Sequence, residues 1–301
     1  MSNVTQPDLK QLIALQQQVA SLSVRRRHIR SPMAGAHLSR LRGRGMEIDE
    51  VRAYQAGDEV SSIDWRVTAR TGTTHTKVFR EERERPILIC LDYRANMFFA
   101  SRGVLKSVLA TQAAALLAWH GMAHHDRLGG LLFSDDEHHE IKPKRGKQGV
   151  LQLLHTYCQA KVWSKRPQNN PSLHSFEETM QRLRRVVKTG SLVYILSDFR
   201  GLDEASIAHL AQLARHNDVV LISVFDTLEK NFPKAGNYPV FDGETYFNCR
   251  ATSALQQQLA QQFQTRLSML QALQQQHGIH HVAMATDDDV ASHIREHLWA
   301  I

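Results

Sequence analysis

Short apolar runs, the one at 87–91 unbroken, alternate with segments whose apolar residues recur every three or four positions. The runs at 87–91, 128–133, 192–196, 219–225 and 279–284 are rich in Val, Ile and Leu. Such runs suit strands buried on both faces of a parallel sheet. Between and around them, residues 9–22, 103–124, 149–158, 176–188, 203–215, 253–277 and 287–299 carry helical spacing. A turn at 134–137 leads into Ile141, and Asp242-Gly243 marks a second hairpin. Two prolines and two asparagines make 164–172 a loop. Strands alternating with helices from residue 86 onward predict an α/β fold with a doubly wound, mainly parallel sheet.

The segment before that sheet reads differently. Residues 1–24 hold an amphipathic helix ended by Ser31-Pro32 beyond an arginine run. Residues 25–85 are dense in glycine, arginine and carboxylates, with short strands at 50–54 and 74–79. Ser61-Ser62-Ile63-Asp64 reads as a capped helix start with a carboxylate in the first turn. This stretch is too polar to own a core. It is expected to pack on the main sheet as a small α+β segment, with residues 86–301 forming the principal domain.

Charge changes the picture only locally. The chain of 301 residues has a net charge of +7, and residues 25–85 hold 14 Lys and Arg against 9 Asp and Glu. No aromatics interleave the basic runs at 25–30 and 40–44, so nucleic acid is an unlikely partner and a solvated face the default. Cys90, Cys158 and Cys249 form no C-x-x-C pair and no disulfide framework, which points to a reducing cytoplasm. Neither a secretory leader nor an apolar run of membrane-spanning length is found.

The candidate chemistry lies at strand ends. Asp92 and Asp226 directly follow an apolar run, and Asp198 follows one after Ser197, at the sheet edge where open α/β folds bind ligands. For Asp92 the alternative is a cap on the following helix. No phosphate-binding G-x-x-x-x-G-K-[S/T] and no G-x-S-x-G exists. His293 to His297 match H-x-x-E-H but leave only four residues for a third zinc ligand, so that reading is rejected. His120 and His124 have i,i+4 spacing, for which a helix-end role is the default over zinc. The expectation is a protein that is not an enzyme.

Four blocks carry a resemblance: G-R-G-M-E at 43–47, V-R-A-Y-Q-A-G-D at 51–58, I-D-W-R-V-T-A-R at 63–70 and K-V-F-R-E-E at 77–82. Together with the strand–Asp order they resemble the bacterial domain-of-unknown-function family fifty-eight, whose fold is von Willebrand factor A-like. The resemblance runs from about residue 24 to the C-terminus. It implies an adaptor or co-chaperone that works with a MoxR-type AAA+ ATPase in assembling or maturing a client protein. Many relatives carry transmembrane helices, which this chain is expected to lack. A-type domains hold Mg²⁺ through D-x-S-x-S, a threonine on the second loop and an aspartate on the third. Here the first loop reads Asp92-Tyr93-Arg94-Ala95-Asn96, the second loop near Lys147-Gln148-Gly149 offers no threonine, and Asp198 matches the third. Asp92, Asn96 and Asp198 could supply three oxygens to Mg²⁺. A guanidinium at Arg94 opposes a cation there, so Arg94 is expected to replace the metal by bridging Asp92 and Asp198. A cation-dependent binding module that grips an acidic client side chain is the rival. Arg52, Asp58, Asp64, Arg66 and Arg70 are expected to form a salt-bridged brace, with Tyr54 and Trp65 as packing anchors; direct contact with a partner is the alternative.

Overall fold

The strand nearest the middle of the sheet explains the rest. In the computed structural model, which describes residues 4–20, 46–81, 85–164, 175–231, 236–241 and 246–299, Ile87–Asp92 are all buried. Proline starts this strand, and its side chains alternate between two cores. Ile87, Ile89 and Leu91 enter one, and Cys90 enters the other. The runs at 25–30 and 40–44, Ser31-Pro32, Gly43, Gly45, Glu82, residues 165–172 and the Asp242-Gly243 turn lie outside the described residues.

In chain order the elements are α1 (Leu9–Ala20), β1 (Met46–Ala53), α2 (Trp65–Thr71), β2 (His75–Glu81), β3 (Pro86–Asp92), α3 (Lys106–Ala123), β4 (Arg127–Phe133), β5 (His138–Arg145) and α4 (Gly146–Cys158). There follow α5 (Phe176–Val186), β6 (Leu192–Ser197), α6 (Glu204–Ala214), β7 (Asp218–Phe225), α7 (Thr227–Lys230), β8 (Gly236–Phe241), β9 (Tyr246–Ala251), α8 (Ser253–His277), β10 (His280–Ala285) and α9 (Val290–Ile294), with a π-helical turn Arg295–Trp299. The chain divides into two compact units, one of residues 34–84 and one of residues 1–33 with 85–301.

The larger unit is built on a six-stranded sheet of order β10-β7-β6-β3-β4-β5. All neighbours are parallel except β4 with β5. The α/β character and the mainly parallel sheet follow the apolar runs. One core places α1, α3, α4 and α9 on one face, and the other places α5, α6 and α8 on the opposite face. Trp119 of α3 ties α1 down by donating from Nε1 to the Leu12 carbonyl (2.9 Å). The chain leaves β3 toward β4 on one side and returns to β6 on the other. The strand order therefore reverses between β3 and β6, the position at whose carboxyl ends open α/β sheets bind ligands.

The loop from β3 to α3 closes over the neighbouring strand ends. Gly103 has φ +72°, and a Cβ there would lie 2.1 Å from the Thr286 carbonyl oxygen, so only glycine lets the loop approach this closely. Helix α3 consequently starts at Lys106 rather than at residue 103. No helix among the described residues is long and apolar enough to cross a membrane.

The smaller unit pairs β1 with β2 in antiparallel register around α2. Asp64 does not sit in the first turn of the helix, as its sequence position suggested, but is the N-cap itself. Its Oδ1 accepts from the Arg66 and Val67 amides (3.0 and 3.2 Å).

Candidate functional site

Strands β3 and β6 deliver Asp92 and Asp198 to the point of reversal. Asp92 is fully buried and caps no helix. Instead it is wrapped by Arg94, two residues on. The Arg94 amide donates to Asp92 Oδ1 (2.9 Å), Nε donates to both oxygens (3.1 and 3.2 Å), and Nη2 donates to Oδ2 (2.7 Å). Ser197 Oγ adds a fifth bond to Oδ2 (2.6 Å). Arg94 Nη2 also lies 4.0 Å from Asp198 Oδ1, and Nη1 donates to the Arg200 carbonyl (3.0 Å). The guanidinium is stacked near the rings of Phe133 and Phe176, 5.5 and 5.0 Å from their centroids. Arg94 thus bonds Asp92 and lies within ion-pair range of Asp198. Asn96, half-buried in the turn that follows, takes no part in this network among the described residues.

The sequence did not point to the second cation. Lys106, the first residue of α3, is 0% exposed, and its Nζ donates to Asp198 Oδ2 (3.0 Å) and Glu229 Oε1 (2.9 Å). Arg200 completes the set. Its amide donates to Asp198 Oδ1 (3.0 Å), its Nη2 to Glu229 Oε1 (2.7 Å), and its side chain is 41% exposed. Three carboxylates and three cations therefore balance: Asp92, Asp198 and Glu229 with Arg94, Lys106 and Arg200. Burial alone pushes the Asp198 carboxyl up. The charges of Lys106, Arg94 and Arg200 outweigh that and hold it well below the usual carboxylate range. Burial works against the charge on Arg94, and Asp92 overcomes it, so the guanidinium stays firmly protonated.

Beside this cluster, Asp226 stitches the sheet edge together. It accepts from the Ser101 amide and hydroxyl (2.7 and 2.6 Å), the Leu228 amide (2.9 Å) and Thr286 Oγ1 (2.8 Å). Burial raises its pKa, and the Ser101 bonds bring the net value below the ordinary one. Its own amide donates to Glu229 Oε2 (3.2 Å), closing a capping box on α7 that fixes Glu229 beneath Lys106 and Arg200. Asp135 Oδ2 accepts from the Ala95 amide (2.6 Å), and burial lifts its pKa.

This donor set does not fit Mg²⁺. Both oxygens of Asp92 already receive Arg94, both oxygens of Asp198 are bonded, and a divalent ion would sit against a guanidinium and an ammonium.

In the smaller unit, Arg52 grips Asp58 with two bonds (3.0 and 2.8 Å), and the Tyr54 hydroxyl donates to the Asp58 carbonyl (3.3 Å). The Gln55 amide (2.9 Å) and Arg52 together hold the Asp58 carboxyl below its ordinary value. Asp64 pairs with Lys77 (3.4 Å). Within this unit, then, Arg52 is paired with Asp58 and Asp64 with Lys77. Arg66 and Arg70 are exposed, and neither meets a carboxylate among the described residues. Trp65 follows the Asp64 cap as the first residue of α2 and is 66% exposed.

A family model described as "Protein of unknown function DUF58" matches residues 50–272. Uncharacterized proteins of Mycobacterium tuberculosis and Mycobacterium bovis are 29% identical over 212 residues, which is 70% of this chain. The match spans 65% of those relatives' length, just under two thirds. Among solved structures, a conserved hypothetical protein BatB from Bacteroides thetaiotaomicron is similar at TM-score 0.45 and 11% identity, covering 71% of this chain and 97% of its own. An aerotolerance-related membrane protein from Bacteroides fragilis is similar at TM-score 0.44 and 12% identity, covering 71% and 96%.

Proposed function

The chain belongs to the DUF58 family of proteins of unknown function, and from that premise we propose that it is a non-enzymatic protein-binding module of von Willebrand factor A type. In this reading it acts with a MoxR-type AAA+ ATPase on a client protein, and it needs no metal to do so. The observation that carries the reading is the closed ion-pair cluster at the point of strand reversal. In A-type domains a divalent cation organises this position. Here Arg94 and Lys106 supply the positive charge covalently, and the loops after β3 and β6 are bonded to each other through it. The cluster's carboxylates are committed to one another's cations, which suits a fixed recognition surface better than proton transfer. The antiparallel edge strand β5 and the strand order agree with that fold type. The ATPase partner follows from the family resemblance.

The test is retrieval of the tagged full chain from its native cell with and without EDTA. The expected result is equal recovery of an AAA+ ATPase in both. Loss of the ATPase in EDTA, restored by Mg²⁺, overturns the metal-free reading; absence of any ATPase overturns the adaptor reading.

A further inference from the structure

Five large apolar side chains stand exposed among the described residues, and three of them, Val51, Val60 and Trp65, belong to the smaller unit. Among residues 51–77 Thr76 is the only buried one. Polar bonds tie residues 51–77 together. Besides Arg52–Asp58 and the Asp64 cap, the His75 amide donates to Thr68 Oγ1 (3.0 Å) and Thr71 Oγ1 donates to the Val67 carbonyl (3.0 Å). That frame fixes the backbone under Trp65 from both sides, through Asp64 to the next two amides and through Asp64 to Lys77. An indole on a fixed backbone, two-thirds in water, is a poor structural element and a good binding anchor. Arg66 and Arg70 follow it with i,i+4 spacing, both exposed and neither paired with a carboxylate among the described residues.

We infer that Trp65, Arg66 and Arg70 form a docking surface for a second protein that presents an apolar pocket rimmed by carboxylates. Tryptophan and arginine are the residues that dominate interface energies, and two unpaired guanidiniums beside the indole select an acidic rim. A second copy of this chain fits poorly, since a two-fold contact through this patch would bring four like charges together. Nucleic acid fits poorly too: a single exposed indole offers no row of aromatic platforms on which successive bases could stack.

The experiment places a photo-cross-linking phenylalanine analogue at Trp65 in the full chain and irradiates it in its native cell. The expected result is an adduct with a different protein, cross-linked beside Asp or Glu. Its yield should fall about tenfold in R66E/R70E and survive in R66K/R70K, with unchanged melting temperatures. An adduct with a second copy, with nucleic acid, or with nothing overturns the inference, as does a yield indifferent to charge reversal. If the adduct is a protein other than an AAA+ ATPase, the docking surface stands and the ATPase assignment falls.

Discussion

Lys106 opens an 18-residue helix that carries no other Lys, Arg, Asp or Glu. A cation in the first turn of a helix opposes the dipole, and a lysine with no exposed surface is rare unless paired. Both penalties are met by Asp198 and Glu229. Replacing Lys106 with Met leaves two carboxylates facing each other in the interior without the ammonium that bonds both, and Arg200 as the one cation still bonded to Glu229 among the described residues. Removing one partner of a buried ion pair costs about 3–5 kcal/mol, so Lys106→Met should lower the urea midpoint sharply. Arg200→Ala, which removes a cation that is 41% exposed, should cost about 1 kcal/mol or less. Equal effects of the two variants would show that the cluster is not organised around Lys106. Asp92, Arg94 and Asp198 were legible in the sequence because strand ends and a known loop pattern flagged them. Lys106 was not, because hydrophobic periodicity treats a lone lysine at a helix end as solvent-facing. The only signal was its position at the wrong end of the dipole. Glu229 was hidden for a different reason: it lies on a four-residue helix, too short to show any period.

At the scale of elements, apolar runs located the strands of the parallel sheet, most plainly β3, which is buried on both faces, and least plainly the outer strand β10, where His280 and His281 interrupt the pattern. Helix starts were less legible. Helix α4 begins at Gly146, and its first turn, Gly146 to Gln148, is wholly exposed, so apolar spacing cannot register it. The edge strand β5 is a further case. Lys142 and Lys144 are exposed on either side of Pro143, and the pairing shifts register between Leu128 and Gly130. Pro143 packs where a Cβ on Gly129 would meet its Cγ at 2.9 Å. A proline, two lysines and a bulge on an outer strand are the devices that block edge-to-edge pairing. The triple variant K142V/P143V/K144V should therefore aggregate on heating below its unfolding midpoint, as read by light scattering against circular dichroism. Scattering that still begins only with unfolding would mean the edge is protected in another way.

For the whole molecule, acid should act in two stages. His120, on α3, and His281, on β10, are largely buried, and desolvation brings each pKa down from 6.5 to about 4, with the neighbouring His124 and His280 charges adding to the effect. The unfolded chain takes up protons on these histidines as pH falls through about 6.5, whereas the folded chain does so only near 4. Stability is therefore full above the unfolded value and is lost progressively between pH 6.5 and 4, at about 1.4 kcal/mol for each unit of separation. Asp198 and Asp226 have depressed values, so the stability they contribute is present above their ordinary pKa and disappears only at lower pH. Urea midpoints should thus fall between pH 7 and pH 5, before Asp198 is neutralised. The double variant H120Q/H281Q should lose most of that slope while retaining the steeper loss below pH 4. His281 Nε2 is 2.8 Å from Ser223 Oγ, a contact that glutamine can keep, so the variant tests charge rather than a missing bond. An unchanged slope in the double variant would place the neutral-to-acid sensitivity in other histidines and leave the buried pair without a part in it.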